Sequence, residues 1–349
     1  MKRTVCLFLL LLLWALPTAT LWADAGNIKK PLIAVLLSFS NAERWEKDLA
    51  AMRDYARARD IGLVLEVVQD NQMHQNSQAV RVLAQRPDVL ILTPHDAASS
   101  AFIVAKAQAQ GTKVIAYDRL VLNAGVDLYI GFDNEEVGRL QAAYLLKRAP
   151  AGNYIIFSGA PGDYNSRLIL NGVMELLEPR ISEGRVKVLA QGPIVEWQQS
   201  EIGNLMRPPL EKGLEIAAVV TPDDLSAGEA VAFLASFGQA GKTLVAGQDA
   251  LVFAARRIVM GTQALTIFKD SRNMGTLAMD LAVKMAAGHD VSGRASRLIF
   301  DGVRDIPSVI LPPLLIDGQN IQEQLISPGH ITREQVYGRQ VRTLPGYGH

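Results

Sequence analysis

The sequence predicts an α/β fold built as two similar lobes, each with a mostly parallel sheet. Three observations lead to that expectation. Ten short runs rich in Val, Ile and Leu recur between 31 and about 300, mostly without in–out alternation, as strands buried on both faces read. Helix-period segments separate them, and an alternating βαβα order marks a doubly wound sheet. Ten strands exceed what one such sheet holds comfortably, so they divide between two.

The elements follow in order. Residues 1–25 read as a targeting segment: Lys2 and Arg3 precede the apolar run "VCLFLLLLLWALPTA", and Ala23 and Ala25 form an A-x-A pattern that places cleavage after Ala25. The other reading of this segment is an uncleaved membrane anchor. The only cysteine, Cys6, falls inside it, so the processed chain is expected to hold no thiol, no disulfide and no Cys-based metal site. Export to the periplasm of a Gram-negative-type cell fits these features. Strand signals then fall at 32–39, 63–68, 88–93, 113–117, 128–132, 153–159, 186–192, 216–221, 243–247 and 264–268. Among the helical segments, "AERWEKDLAAMRDYARARD" sets Trp45, Leu49, Met52 and Tyr55 on one face, and "NEEVGRLQAAYLLKRA" does the same with Val137, Leu140 and Tyr144. "SAGEAVAFLASFG" stops at Gly238, a helix C-terminal signal. The chain has no strong internal repeat and no low-complexity stretch.

Composition narrows the function. Lys plus Arg and Asp plus Glu each number 35, so the net charge is zero, and basic residues do not cluster. That argues against a nucleic-acid surface.

The strand ends carry the chemistry, because open α/β sheets bind ligands beyond the carboxyl ends of their strands. "VIAYDRL" (114–120) runs from an apolar strand straight into Asp118 and Arg119, although a buried charge without a partner is costly. One polar strand end is an ordinary solvated loop. Here the others match it: "SNAERW", "PHD", "DN", "APGDYN", "PDD", "QDA" and "KD" follow further strands. Together they describe a crevice lined by hydrogen-bonding groups of both signs. No Gly-rich phosphate loop is present, and the five His, at 74, 95, 289, 330 and 349, never pair at i,i+4, so neither a nucleotide nor a metal is indicated and no cofactor is expected. A neutral polyhydroxylated molecule suits the lining, since each hydroxyl both donates and accepts. Past residue 25 only Trp45 and Trp197 remain, both after strands, and an indole face can cover the C–H face of a pyranose. Alternatively, Trp45 packs as the core face of its helix and Trp197 serves at the surface or a hinge.

The segments "ERWEKD", "VIAYDR", "YIGFDNEEVG", "GNYIIFSGAPGDYN", "AGQDA" and "GTQALTIFK", in this order and spacing, resemble the type I periplasmic binding proteins of sugar ABC transporters, especially the xylose-binding branch. The likeness covers nearly all of the chain from about Ile33 to Ile326. It implies two Rossmann-like lobes joined by three crossings near 131–134, 266–270 and 299–303. The first lobe is then 30–132 plus 270–300, and the second 133–269 plus 301–349. It implies ligand-binding roles for Arg44, Trp45, Asp118, Arg119, Asn165, Trp197, Asp223, Asp249 and Lys269. It also implies capture of xylose or a related pentose or hexose for delivery to an ABC permease, and nothing in the sequence demands more than a monomer. Two departures from the xylose-binding pattern leave the sugar open: Ser38 and Phe39 stand in place of acidic residues, and Asp223 with Asp224 in place of an Asn-Asp pair. Sugar sensing through a membrane histidine kinase or chemoreceptor, or capture of a furanosyl signal, shares the fold. Catalysis is not expected, since Arg44, Arg119 and Lys269 would hold the strand-end carboxylates ionised, whereas glycoside hydrolysis needs a protonated acid, and no nucleophile elbow is present.

Overall fold

The computed structural model describes residues 30–38, 42–68 and 71–338, so the targeting segment and Phe39 lie outside the described residues. The chain first lays down β1 (Leu32–Ser38), α1 (Ala42–Ala58), β2 (Gly62–Val68), α2 (Gln72–Leu83), β3 (Val89–Leu92), α3 (Ala101–Ala109), β4 (Lys113–Tyr117) and β5 (Leu128–Phe132). It continues with α4 (Asn134–Arg148), β6 (Gly152–Ser158), α5 (Tyr164–Ser182), β7 (Val186–Pro193), α6 (Ser200–Glu211), β8 (Ala218–Val220), α7 (Asp224–Ser236), β9 (Leu244–Gln248), α8 (Val252–Val259) and β10 (Leu265–Phe268). Then come α9 (Ser271–Ala286), β11 (Arg297–Phe300), β12 (Asp305–Leu311), β13 (Leu314–Ile316) and α10 (Arg333–Tyr337).

Two sheets result, in the orders β11-β12-β5-β4-β3-β1-β2 and β13-β10-β9-β8-β6-β7. Their cores repeat one topology: β2-β1-β3-β4-β5 in the first is matched by β7-β6-β8-β9-β10 in the second, all parallel. Each sheet therefore reverses its winding once, beside β1 and beside β6, which is where such folds open a binding crevice. The strands are apolar through their length because helices cover both faces: β3 and β5 are buried at every residue. Helix α9 returns to the first sheet, where Met274, Ala278 and Met279 pack with Ile33, Leu49 and Ile91.

Two passages between the sheets fall at residue 133 and at 269–270. The third corrects the expectation of 299–303. β12 pairs in parallel with β5, Ser308 opposite Tyr129, so the segment 305–311 belongs to the first lobe and the chain crosses only at 312–313. The physical reason is that β5 would otherwise be a bare edge. This strand escapes sequence reading because Pro307 interrupts it and its burial is mixed, with Asp305 exposed and Ile306 buried.

Asp133, Asp163, Asp223 and Asp270 cap α4, α5, α7 and α9, each accepting a first-turn amide at 2.7–3.2 Å. Several acids that follow strands thus double as the start signals of the next helix.

Candidate functional site

The nine residues expected at the site converge on one narrow cavity of about 40 Å³ between the facing strand ends of the two lobes. The first lobe supplies four. Arg44 and Trp45 lie in the first turns of α1, with the guanidinium stacked 4.1 Å from the indole centroid. Trp45 is both core and lining: it is buried, its ring tilts against Tyr117 at 6.5 Å, and it borders the cavity. Asp118 ends β4 in a left-handed conformation, φ 64°, which turns its side chain off the strand direction and into the cleft. Its N–H donates to the Ile130 carbonyl at 2.8 Å and its own carbonyl accepts from the Tyr129 hydroxyl at 2.9 Å, so the turn is fixed from both sides. Arg44 pairs with the Asp118 carboxylate. The charged end of "VIAYDRL" is therefore buried but partnered.

The second lobe supplies the rest. Asn165 leads α5 and donates at 3.2 Å to both the carbonyl and the carboxylate of Asp118. Trp197 has φ 57° and lays its ring over Gly159, where a side chain would collide with the indole. Asp223 accepts the Ser226 amide of α7 and lines the cavity. Asp249, φ 96°, follows β9. Lys269 follows β10 and donates to Asn134 at 2.9 Å. Asp224 is not part of the lining. It is fully buried, accepting from Leu251, Gln263 and Thr266, and it ties α7 to β10 and α8.

Four lining residues were not assigned to the site from sequence: Asp163, Ser166, Ile169 and Gln248. Gln248 was visible as the last residue of its strand beside Asp249. The other three sit at the start of α5, in and after "APGDYN", where a cap signal masks a lining role. Asp163 both caps α5 and pairs with Arg119 at 2.7 Å across the cleft. Ser38 is elsewhere: its hydroxyl meets His95 Nδ1 at 3.0 Å, and it lines a separate outer chamber of about 680 Å³. Arg119, Asp163 and Trp197 line both chambers and so form the partition between them.

Electrostatics follow from burial and pairing. Burial alone would raise Asp118, but Arg44, Lys269 and Arg119 hold it below the ordinary carboxylate range. Burial depresses Lys269, offset in part by Asp118 and Asp249. Asp223 behaves otherwise than the cation argument anticipated: burial raises it to about 6. Behind the site, burial raises Asp48 to about 7 despite Arg44 and the Tyr117 hydroxyl that donates to it.

Arg44 Nε and Asp249 Oδ1 stand 4.0 Å apart, both buried, and neither has a hydrogen-bond partner within the described residues. One hydroxyl oxygen at ~2.8 Å from each would fit between them, accepting from the first and donating to the second. Asn165 Oδ1, Ser166 Oγ and Gln248 Oε1 are buried without partners in the same cavity. Buried polar atoms are rarely left unpaired, so this set describes the groups a bound molecule must match. Among the described residues no group of three His, Cys, Asp or Glu is placed to hold a metal.

A family model described as periplasmic binding protein domain matches residues 33–290. The D-xylose-binding periplasmic protein of Haemophilus influenzae is 32% identical over 319 residues, spanning 91% of this chain and 96% of its own. That of Escherichia coli is 32% identical over 306 residues, spanning 87% and 92%. Among solved structures, a carbohydrate transporter solute-binding protein from Chloroflexus aurantiacus in complex with D-glucose superposes with a TM-score of 0.81 at 24% identity, over 88% of this chain and 98% of that one.

Proposed function

The chain belongs to the periplasmic binding protein family, and from that premise we propose that it captures a monosaccharide, xylose or a close relative, between its lobes for delivery to an ABC sugar importer. The observation that carries this reading is the 4.0 Å gap between Arg44 Nε and Asp249 Oδ1, two opposed buried groups from different lobes that a single sugar hydroxyl satisfies together. Trp45 and Trp197 cover the faces of the ring. Asp118, Arg119, Asn165, Asp223 and Lys269 hold its rim, with Asp163, Ser166 and Gln248 beside them. The lining requires both donors and acceptors, as a polyol supplies and a simple anion does not. The family is one of binding proteins, and these carboxylates hold hydroxyls rather than cleave bonds.

Sugar binding couples to lobe closure because the site is split: Arg44, Trp45, Asp118 and Arg119 come from one lobe, the remaining residues from the other. A ligand touching both stabilises the closed state by its extra contacts there, which is all a shift in population requires. The closed shape is what a permease then reads. The protein acts as a periplasmic monomer after removal of residues 1–25.

Isothermal titration of the processed protein with a panel of pentoses, hexoses and polyols tests the reading. Saturable binding of one or more monosaccharides is expected. Failure of every one to bind or to raise the melting temperature would overturn it.

A further inference from the structure

Twelve of the thirteen residues lining the inner cavity are polar, charged or tryptophan, and the exception is Ile169. It lies one turn beyond Asn165 on α5, and residues four apart on a helix share a face. Ile169 cannot withdraw. Gly138 of α4 faces the Ile169 carbonyl so closely that a β-carbon there would overlap it, and Gly172 of α5 stands in the same relation to the Glu135 carbonyl. The two helix backbones are in direct contact, which fixes α5 against α4. The side chain itself is β-branched and has little rotamer freedom in a helix.

An aldopentopyranose and the matching aldohexopyranose differ at one ring carbon. The pentose carries only hydrogens at C5, whereas the hexose carries a hydroxymethyl group. The other lining residues offer hydrogen-bonding groups suited to the hydroxyl-bearing edges of a pyranose. The aliphatic stretch suits the one edge without a hydroxyl. From this geometry we infer that Ile169 is a specificity-determining residue, which admits an aldopentose and rejects the corresponding aldohexose. The inference rests on the monosaccharide reading above. A hexose would press its extra carbon on a wall that does not yield and bury a hydroxyl with no partner. Against an aliphatic wall, one carbon more or less is discriminated by roughly 10- to 200-fold.

The test is titration calorimetry of the wild-type protein and of Ile169→Ala and Ile169→Val with D-xylose, D-glucose and 6-deoxy-D-glucose, the last carrying the extra carbon without its hydroxyl. The wild type is expected to bind xylose at least about tenfold more tightly than glucose, with the 6-deoxy sugar between them. Ile169→Ala is expected to cut that ratio about tenfold or more, chiefly by tightening the two larger sugars, and Ile169→Val to move it the same way by less. The inference is overturned if the wild type binds glucose as tightly as xylose, or if either variant binds xylose with the ratio unchanged. These outcomes leave the monosaccharide reading standing. If the wild type binds none of the three sugars, the reading itself fails and the inference with it. Should Ile169→Ala not melt cooperatively, the valine variant decides.

Discussion

Arg119 of the first lobe and Asp163 of the second meet across the cleft, guanidinium Nε to carboxylate oxygen at 2.7 Å, both buried. The pair forms only when the lobes are together, so its worth belongs to closure and not to the fold of either half. Asp163→Asn keeps an α5 cap, since Asn caps as well as Asp, and removes the charge. Sugar Kd is expected to rise at least about tenfold, within the range for breaking a buried pair, while the melting temperature without sugar changes little. Calorimetry and thermal melts on one preparation check this.

Asp249→Asn removes the charge opposite Arg44, replacing one carboxylate oxygen by an NH2 donor, and suits the φ of 96°, because Asn tolerates left-handed backbone better than most residues. Losing a hydrogen bond to a charged group costs about 1.5–3 kcal/mol, so Kd is expected to rise about 10- to 150-fold. An unchanged affinity would remove Asp249 from the site.

Intrinsic tryptophan fluorescence of the processed protein, excited at wavelengths tyrosine does not absorb, comes only from Trp45 and Trp197. Both line the cavity, so a sugar that binds should change the emission saturably. Trp197→Phe is expected to weaken binding with little loss of stability, because this ring packs at the partition. Trp45→Ala is expected to destabilise the protein by about 3–5 kcal/mol, because this ring is buried in the first core. Paired binding and denaturation curves separate the two effects.

Asp48 gives a pH dependence with a definite sign. Its folded value of about 7 lies above the ordinary 3.8, burial being the largest cause. The folded protein therefore holds a proton that the unfolded chain has released. That contribution to stability is full below about pH 4 and is lost as pH rises toward 7. Asp48→Asn removes the titration. The variant should be more stable than wild type at pH 8, by up to roughly 10 °C in melting temperature, and the difference should narrow toward pH 4.

Gly138→Ala and Gly172→Ala each place a β-carbon where the facing helix backbone already lies. Overpacking of this kind costs about 1–3 kcal/mol. Both are expected to lower the melting temperature, and Gly138→Ala to weaken sugar binding too, since it displaces the helix turn that carries Ile169.

The sequence showed the site more fully than the fold. The recurring polar strand ends pointed to the crevice, and the family resemblance singled out Arg44, Asp118, Asp223, Asp249 and Lys269 within it. The structure places them, with Trp45, Arg119, Asn165 and Trp197, around one cavity. Asp163 was hidden by its second role as a helix cap, and Ile169 because nothing separates an aliphatic wall from an aliphatic core by pattern alone. Strands β11 to β13 were missed because β11 is largely exposed, Pro307 interrupts β12 and β13 is only three residues long. Missing them moved the third crossing by about ten residues.

That third crossing bears on how the protein is made. The guanidinium of Arg304 donates to the Val126 carbonyl, a partner 178 residues earlier, and β12 closes the edge of β5 beside it. The lobe that begins first along the chain is thus still unfinished when most of the second has been made. A polypeptide emerging from the ribosome cannot complete its first sheet until residue 311 has been synthesised, and until then β5 offers an unpaired edge to any other strand. Fragments ending near residue 290 should accordingly aggregate, even though they contain every residue that lines the inner cavity.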